Sequence, residues 1–129
     1  MSRRRGGCVV VTGGSSGIGR LTAHLLATEG VPVVVAARST TSLDEVVDEC
    51  AARSGVGRTG TAMAVTTDVR DPEAVEHLAE VAEVRFGRID MWVNGAAVMA
   101  YGTSDSVPPD IEQAVIETNL MGTIHGCRW

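Results

Sequence analysis

The chain has 129 residues, a length that suits one domain on the usual scale of about 100–200 residues. Hydrophobic residues make up 44% and charged residues 21%, which excludes a disordered polar chain. The net charge of −5, from 11 basic and 16 acidic residues, argues against a surface built for nucleic acid.

In chain order, Arg3, Arg4 and Arg5 open a short basic start that reads as a solvated tail. "GCVVVTGG" predicts a buried strand over Cys8–Thr12 that runs into a glycine turn. "IGRLTAHLLATEG" predicts a helix ending at Gly30, with Ile18, Leu21, Leu25 and Leu26 as its apolar face. "PVVVAAR" is a second unbroken apolar run, the pattern of a parallel strand covered on both sides. "SLDEVVDECAAR" opens with a capping box, Ser42 with Glu45, and carries Leu43, Val46, Val47 and Cys50 at helical spacing. "SGVGRTG" reads as a loop and "TAMAVTTDV" as a third strand. The next helix has Asp71 as N-cap and Pro72 in its first turn. Val75, Leu78, Ala79, Ala82 and Phe86 form its apolar face, and Gly87 ends it. "IDMWVNGAA" is the fourth strand, Tyr101–Pro109 a loop, and "PDIEQAVIETNLMGTIHGCRW" a last helical stretch.

Strands alternating with helices imply right-handed crossovers and a mainly parallel sheet. No run approaches the ~20 apolar residues of a membrane span, and Cys8–Val11 is too short for a signal peptide core. Cys8, Cys50 and Cys127 form neither a disulfide framework nor a zinc pattern, so a reducing cytoplasm is expected. His24, His77 and His125 fall on three helices without ligand spacing and read as surface or boundary residues, with no metal site. Cys127 reads as a buried small hydrophobe and Trp92 as packing. Acidic residues within 44–49 and 73–83 read as solvated helix faces.

The chemistry lies in "TGGSSGIG", Thr12–Gly19, between a strand and a helix. A helix N-terminus offers free N–H groups and partial positive charge to an anion, and glycines let the backbone approach a pyrophosphate. Gly13, Gly17 and Gly19 take those roles, with spacing G-x-x-x-G-x-G. All eleven basic residues are arginine, so a Walker-type phosphate loop, which needs a lysine, is excluded. An NAD site usually places an acid at the end of the second strand, about 20 residues on. Here Ala36 and Ala37 precede Arg38. Arg38 reads either as an exposed loop arginine or as the clamp of a ribose 2′-phosphate, which favours NADP(H) over NAD(H).

Together "TGGSSGIG", "AAR", "DV", "IDMWVNGAA" and "TNLMG" resemble, in order and spacing, the short-chain dehydrogenases/reductases, and the resemblance runs from Cys8 to Trp129. It implies a Rossmann-type doubly wound α/β fold with a parallel sheet of about four strands in order 3-2-1-4, helices on both faces. It implies that Thr12, Gly13, Ser15, Ser16, Gly17, Ile18 and Gly19 surround the cofactor pyrophosphate, with Ser15 and Ile18 against the cofactor. Asp68 would accept from the adenine amino group, beside the Val69 backbone. Asn94, Gly95, Ala96 and Ala97 would lie beneath the cofactor. The family reads N-N-A-G there and this chain N-G-A-A, so Gly95 stands for an asparagine and Ala97 for a glycine. Asn119 matches the asparagine of the catalytic set, which helps hold a water and a proton relay. The family's serine and its Y-x-x-x-K pair lie beyond that asparagine and are not in this sequence. Tyr101 is no substitute, because it lies upstream and no lysine is present to lower the ~10 pKa of a phenol.

The implied reaction is hydride transfer between a nicotinamide and a small carbonyl or alcohol substrate. The final helix carries no closing glycine or proline signal, so residues 1–129 are expected to be one truncated cofactor-binding domain, inactive alone. A non-catalytic nucleotide-binding module and a gene fragment without function are the alternatives. An unpaired fourth strand and an apolar face of Ile111, Val115 and Leu120 would favour self-association.

Overall fold

The computed structural model describes residues 6–55 and 62–129. The basic start at Arg3–Arg5 and most of the expected loop at 54–60 lie outside those residues. Four strands, β1 (Cys8–Thr12), β2 (Val33–Ala37), β3 (Ala62–Thr66) and β4 (Ile89–Asn94), alternate with helices α1 (Gly17–Thr28), α2 (Thr40–Arg53) and α3 (Pro72–Phe86). The sheet is parallel, in the order β3-β2-β1-β4. Val10 lies opposite Val34 on one side and Trp92 on the other, and Thr12 opposite Ala36 and Asn94. This is the Rossmann-type arrangement, and the expected strand order is correct.

β1 is buried along its whole length because both faces are covered. Val9 and Val11 point with Val33 and Val35 toward α1 and α2, where Ala23, Ala27, Leu43, Val46 and Cys50 meet them. Cys8, Val10, Val34 and Ala36 point the other way, toward Leu78 and Ala82 of α3. The period-2 alternation of the strands thus feeds two cores, one on each face of the sheet.

The ends of α3 are set locally. The Asp71 carboxylate accepts from the Glu73 N–H at 3.0 Å, Pro72 occupies the first turn, and Gly87 closes the helix at φ 88°. Two expectations need correction. Ser39, not Ser42, caps α2: the Ser39 hydroxyl accepts from the Ser42 N–H at 3.3 Å, so the helix begins at Thr40. The apolar face of α1 is also different. Ile18, Leu21 and Leu25 are 83%, 62% and 69% exposed, while Gly19, Ala23, His24 and Ala27 face inward. Small residues let α1 lie close to the sheet and α2, so Leu21 and Leu25 turn outward, while Leu26 packs partly buried against the core as expected.

After β4, the chain forms a loop and enters α4 (Pro109–Ile116). The helix passes without a break through a π-helical turn, Glu117–Met121, into α5 (Gly122–Gly126). α5 packs on β4 so closely that a Cβ at Gly126 would collide with the Asn94 amide. Among the described residues, no helix is long and apolar enough to cross a membrane.

Candidate functional site

A cleft of about 390 Å³ opens beyond the carboxyl ends of the strands. It lies where the chain's direction of travel across the sheet reverses, between β1 and β4. Such switch points are the common ligand sites of open α/β sheets.

The glycine turn after β1 forms the base of the cleft. Gly13 has φ 66°, and a Cβ there would strike the Gly95 backbone. A Cβ at Gly19 would strike the Gly13 carbonyl. The first turn of α1 can therefore press directly on the end of β1. Thr12 fastens this turn to β4. Its hydroxyl lies 3.2 Å from the Gly95 N–H and 3.4 Å from the Ala96 N–H, accepting from both, and donates to the Val93 carbonyl at 3.4 Å.

Side chains cap the N-termini of α2 and α3, but that of α1 is left open. Ser16 makes no side-chain cap bond there, and no acidic residue stands in the first turn. The N–H groups at the start of α1 are thus presented to the cleft with the positive end of the helix dipole. The absent side chains at Gly13 and Gly19 let the turn pack directly on its own backbone and on Gly95, and the uncapped N–H groups at the start of α1 fit the pyrophosphate of a dinucleotide.

Arg38 follows β2 on the rim. It is exposed, lines the cleft and forms no ion pair among the described residues. Across from it, Asp68 and Val69 follow β3 and also line the cleft. Arg70 grips the Asp68 carboxylate: its Nε and Nη2 donate to Oδ2 at 3.1 and 2.7 Å, and its Nε and backbone N–H to Oδ1 at 3.1 and 3.0 Å. These bonds hold the Asp68 carboxyl below the usual carboxylate range.

The structure brings Gly13, Ser15, Ser16, Gly17, Ile18, Gly19, Arg38, Asp68, Val69, Gly95, Ala96 and Ala97 to the cleft wall. Thr12, Asn94 and Asn119 are not among the lining residues. Asn94 accepts from the Trp92 indole N–H at 3.1 Å, and its Nδ2 points to Cys127 Sγ at 3.8 Å. Thr12 therefore braces β1 against β4 and the segment that follows it. Asn119 lies in the π-helical turn, a local form frequent at functional sites, and its side-chain amide bonds the Val98 backbone. Its main-chain carbonyl accepts from the Thr123 hydroxyl at 2.8 Å. Ala36, Ala37, Ser39, Thr67, Val98 and Thr118 complete the lining. Of these, Ser39, Thr67, Val98 and Thr118 were not expected there. Thr118 could have been reached as the neighbour of Asn119, whereas Val98 carries no motif. Tyr101 is 88% exposed and is not on the cleft wall.

Behind the glycine turn, Glu49 of α2 departs from the expected solvated face. It receives the Arg20 Nε at 3.0 Å and Nη2 in a fork, and meets His24 Nε2 at 2.6 Å. Arg20 Nη1 also donates to the Ser15 carbonyl at 3.4 Å. The Arg20 bonds, and then the His24 bond, lower the Glu49 pKa to about 2. His24 and His125 are buried rather than peripheral, the latter on the Val69 carbonyl at 2.8 Å. Cys127 is exposed, against expectation.

The chain matches the short chain dehydrogenase family over residues 7–129. It is a member of that family. It is 39% identical over 120 residues to the uncharacterized oxidoreductase YxnA of Bacillus subtilis, covering 93% of this chain and 32% of that protein. It is 38% identical over 128 residues to 3beta-hydroxysteroid dehydrogenase 1 of Eggerthella lenta, covering 96% and 46%. Its fold superposes with a TM-score of 0.85, at 26% identity, on an alcohol dehydrogenase of the archaeon Thermococcus sibiricus solved with 5-hydroxy-NADP. That match covers 95% of this chain and 50% of the other. The chain thus spans half or less of the length of these proteins.

Proposed function

We propose that this chain is the dinucleotide-binding part of an NADP(H)-dependent oxidoreductase that moves a hydride to or from a small carbonyl or alcohol. The observation that carries the reading is the open N-terminus of α1, facing a cleft whose rim carries an arginine that forms no ion pair among the described residues. The alcohol dehydrogenase with 5-hydroxy-NADP supports the same cofactor class.

The roles follow from position. Gly13, Ser15, Ser16, Gly17, Ile18 and Gly19 hold the pyrophosphate through backbone N–H groups. Thr12 keeps that turn against β4, and Gly95 and Ala96 underlie the cofactor. Arg38 clamps the 2′-phosphate with charge-assisted bonds. Asp68 and Val69 meet the adenine. Asn119 fixes the loop at Val98 that borders the nicotinamide end. The nicotinamide would supply or take the hydride. The accompanying proton needs a general acid or base, and this sequence has no lysine to tune its one tyrosine. Residues 1–129 therefore act as one cofactor-binding domain without turnover of their own. The reducing cytoplasm is the compartment that suits its three free cysteines.

The edge of β4, unpaired among the described residues, and the exposed Ile111, Ile116 and Leu120 fit pairing with a second copy of the chain. Direct titration of the chain with NADPH and NADH tests the principal reading. Binding of neither would refute it.

A further inference from the structure

We infer that Arg70 is a positioning residue that fixes Asp68 as an acceptor for the 6-amino group of the cofactor's purine. The inference rests on the proposed dinucleotide reading of the cleft and goes one residue beyond it, because Arg70 does not itself line the cleft.

Three donors of Arg70 converge on one carboxylate: the backbone N–H, Nε and Nη2, at 2.7–3.1 Å. The backbone bond holds Oδ1 to the main chain of the turn, and the guanidinium fork fixes the plane of the carboxylate. The turn itself is closed by the Asp71 N–H on the Asp68 carbonyl at 3.1 Å, with Val69 buried inside it. Asp71 then caps α3, so the arrangement is anchored to a helix end.

A carboxylate offers about four acceptor sites. Arg70 occupies most of them. Asp68 is a cleft-lining residue, so the remaining capacity serves the cleft. An ionised carboxylate accepts only, and the Arg70 bonds favour that ionised form. Such a site welcomes an exocyclic amino group and repels an oxo group in the same place. Arg70 also balances the negative charge that Asp68 would otherwise add near Arg38, leaving the rim net positive for an anion.

The test compares NADPH with its hypoxanthine analogue, in which the 6-amino group is replaced by a 6-oxo group. Affinities are measured by calorimetry for the wild-type chain, Arg70→Ala, Arg70→Lys and Asp68→Asn. Wild type should prefer the amino form by about tenfold or more. Arg70→Ala should lose most of that ratio, with little change for the oxo analogue, and Arg70→Lys should recover part of it. General loosening of the protein would weaken both ligands alike and leave the ratio intact. An unchanged ratio in Arg70→Ala would overturn the role of Arg70. Absence of any preference in wild type would overturn Asp68 as the amino acceptor. If neither ligand binds wild type, the dinucleotide reading itself fails, and this inference with it.

Discussion

The side-chain amide of Asn119 closes a two-point bridge on the Val98 backbone: Oδ1 accepts the Val98 N–H and Nδ2 donates to the Val98 carbonyl, both at 2.8 Å. The bridge joins the π-helical turn to the loop after β4, and Val98 lines the cleft. Both polar ends of the amide are thus committed, so the side chain acts here as a brace. Loss of two ordinary hydrogen bonds should cost about 1–2 kcal/mol. Asn119→Ala should lower the urea midpoint accordingly. Asn119→Asp should do no better, because it sets a carboxylate oxygen against the Val98 carbonyl. An alanine variant as stable as wild type would refute the brace.

The fork between Arg20 and Glu49 predicts an acid-sensitive contribution to stability. The Glu49 pKa falls from an ordinary 4.5 to about 2 on folding. A lowered carboxylate pKa stabilises the fold fully above the unfolded value, and the contribution fades as pH falls through the folded value. The loss should therefore appear between about pH 4.5 and 2. Asp68 and Asp105 are also lowered, so the comparison must be with Glu49→Gln. The gap in urea midpoint between wild type and Glu49→Gln should be widest near neutral pH and narrow as acid is added. A gap independent of pH would contradict the fork.

At Gly95 the family's usual asparagine does not fit this backbone. A Cβ there would lie 2.6 Å from the Thr12 carbonyl oxygen, which is backbone and cannot swing aside. Gly95→Asn should destabilise the chain by about 1–3 kcal/mol, the range for overpacking, and weaken dinucleotide binding. Denaturation and ligand titration of this variant measure both. A variant equal to wild type in both would mean that the loop after β4 moves freely.

Self-association is expected from what the sheet leaves open. Among the described residues β4 pairs on one side only, Met91 on it is 58% exposed, and Leu120 is 54% exposed. Sedimentation velocity should show a coefficient that rises with protein concentration. Leu120→Glu together with Met91→Lys should reduce the rise. A concentration-independent monomer in wild type would refute pairing with a second copy.

The parts of this fold that are legible in the sequence are those written in local signals. Asp71, Pro72 and Gly87 delimit α3 because a cap, a fixed φ and a left-handed closing residue act within a few positions. The runs Cys8–Val11 and Val33–Ala36 announce strands covered on both faces, and the strand–glycine–helix junction announces the cleft. Relations across long separations left no such trace. Glu49 lies 25 residues from His24, and nothing in the helical period of α2 marks it as a partner rather than a solvated acid. Hydrophobicity alone misleads on α1, where close approach demands Ala23 and Ala27 and sends Leu21 and Leu25 outward. Val98 is bonded to Asn119 through its backbone, and its side-chain type carries no signal of that.

The central claim is a cofactor cleft whose choice is made at Arg38, and paired titrations of NADPH and NADH test it most directly. β2 ends in Ala36 and Ala37 and is followed by Arg38, with no carboxylate to accept from a ribose 2′-OH. A hydrogen bond to a charged group is worth about 1.5–3 kcal/mol, roughly a tenfold to 150-fold preference, and exposure on the rim favours the lower end. Wild type should bind NADPH about tenfold more tightly than NADH, Arg38→Ala should erase most of that ratio, and Ala37→Asp should reverse it. Equal affinity for the two cofactors in wild type, or a ratio unmoved by Arg38→Ala, would contradict the account.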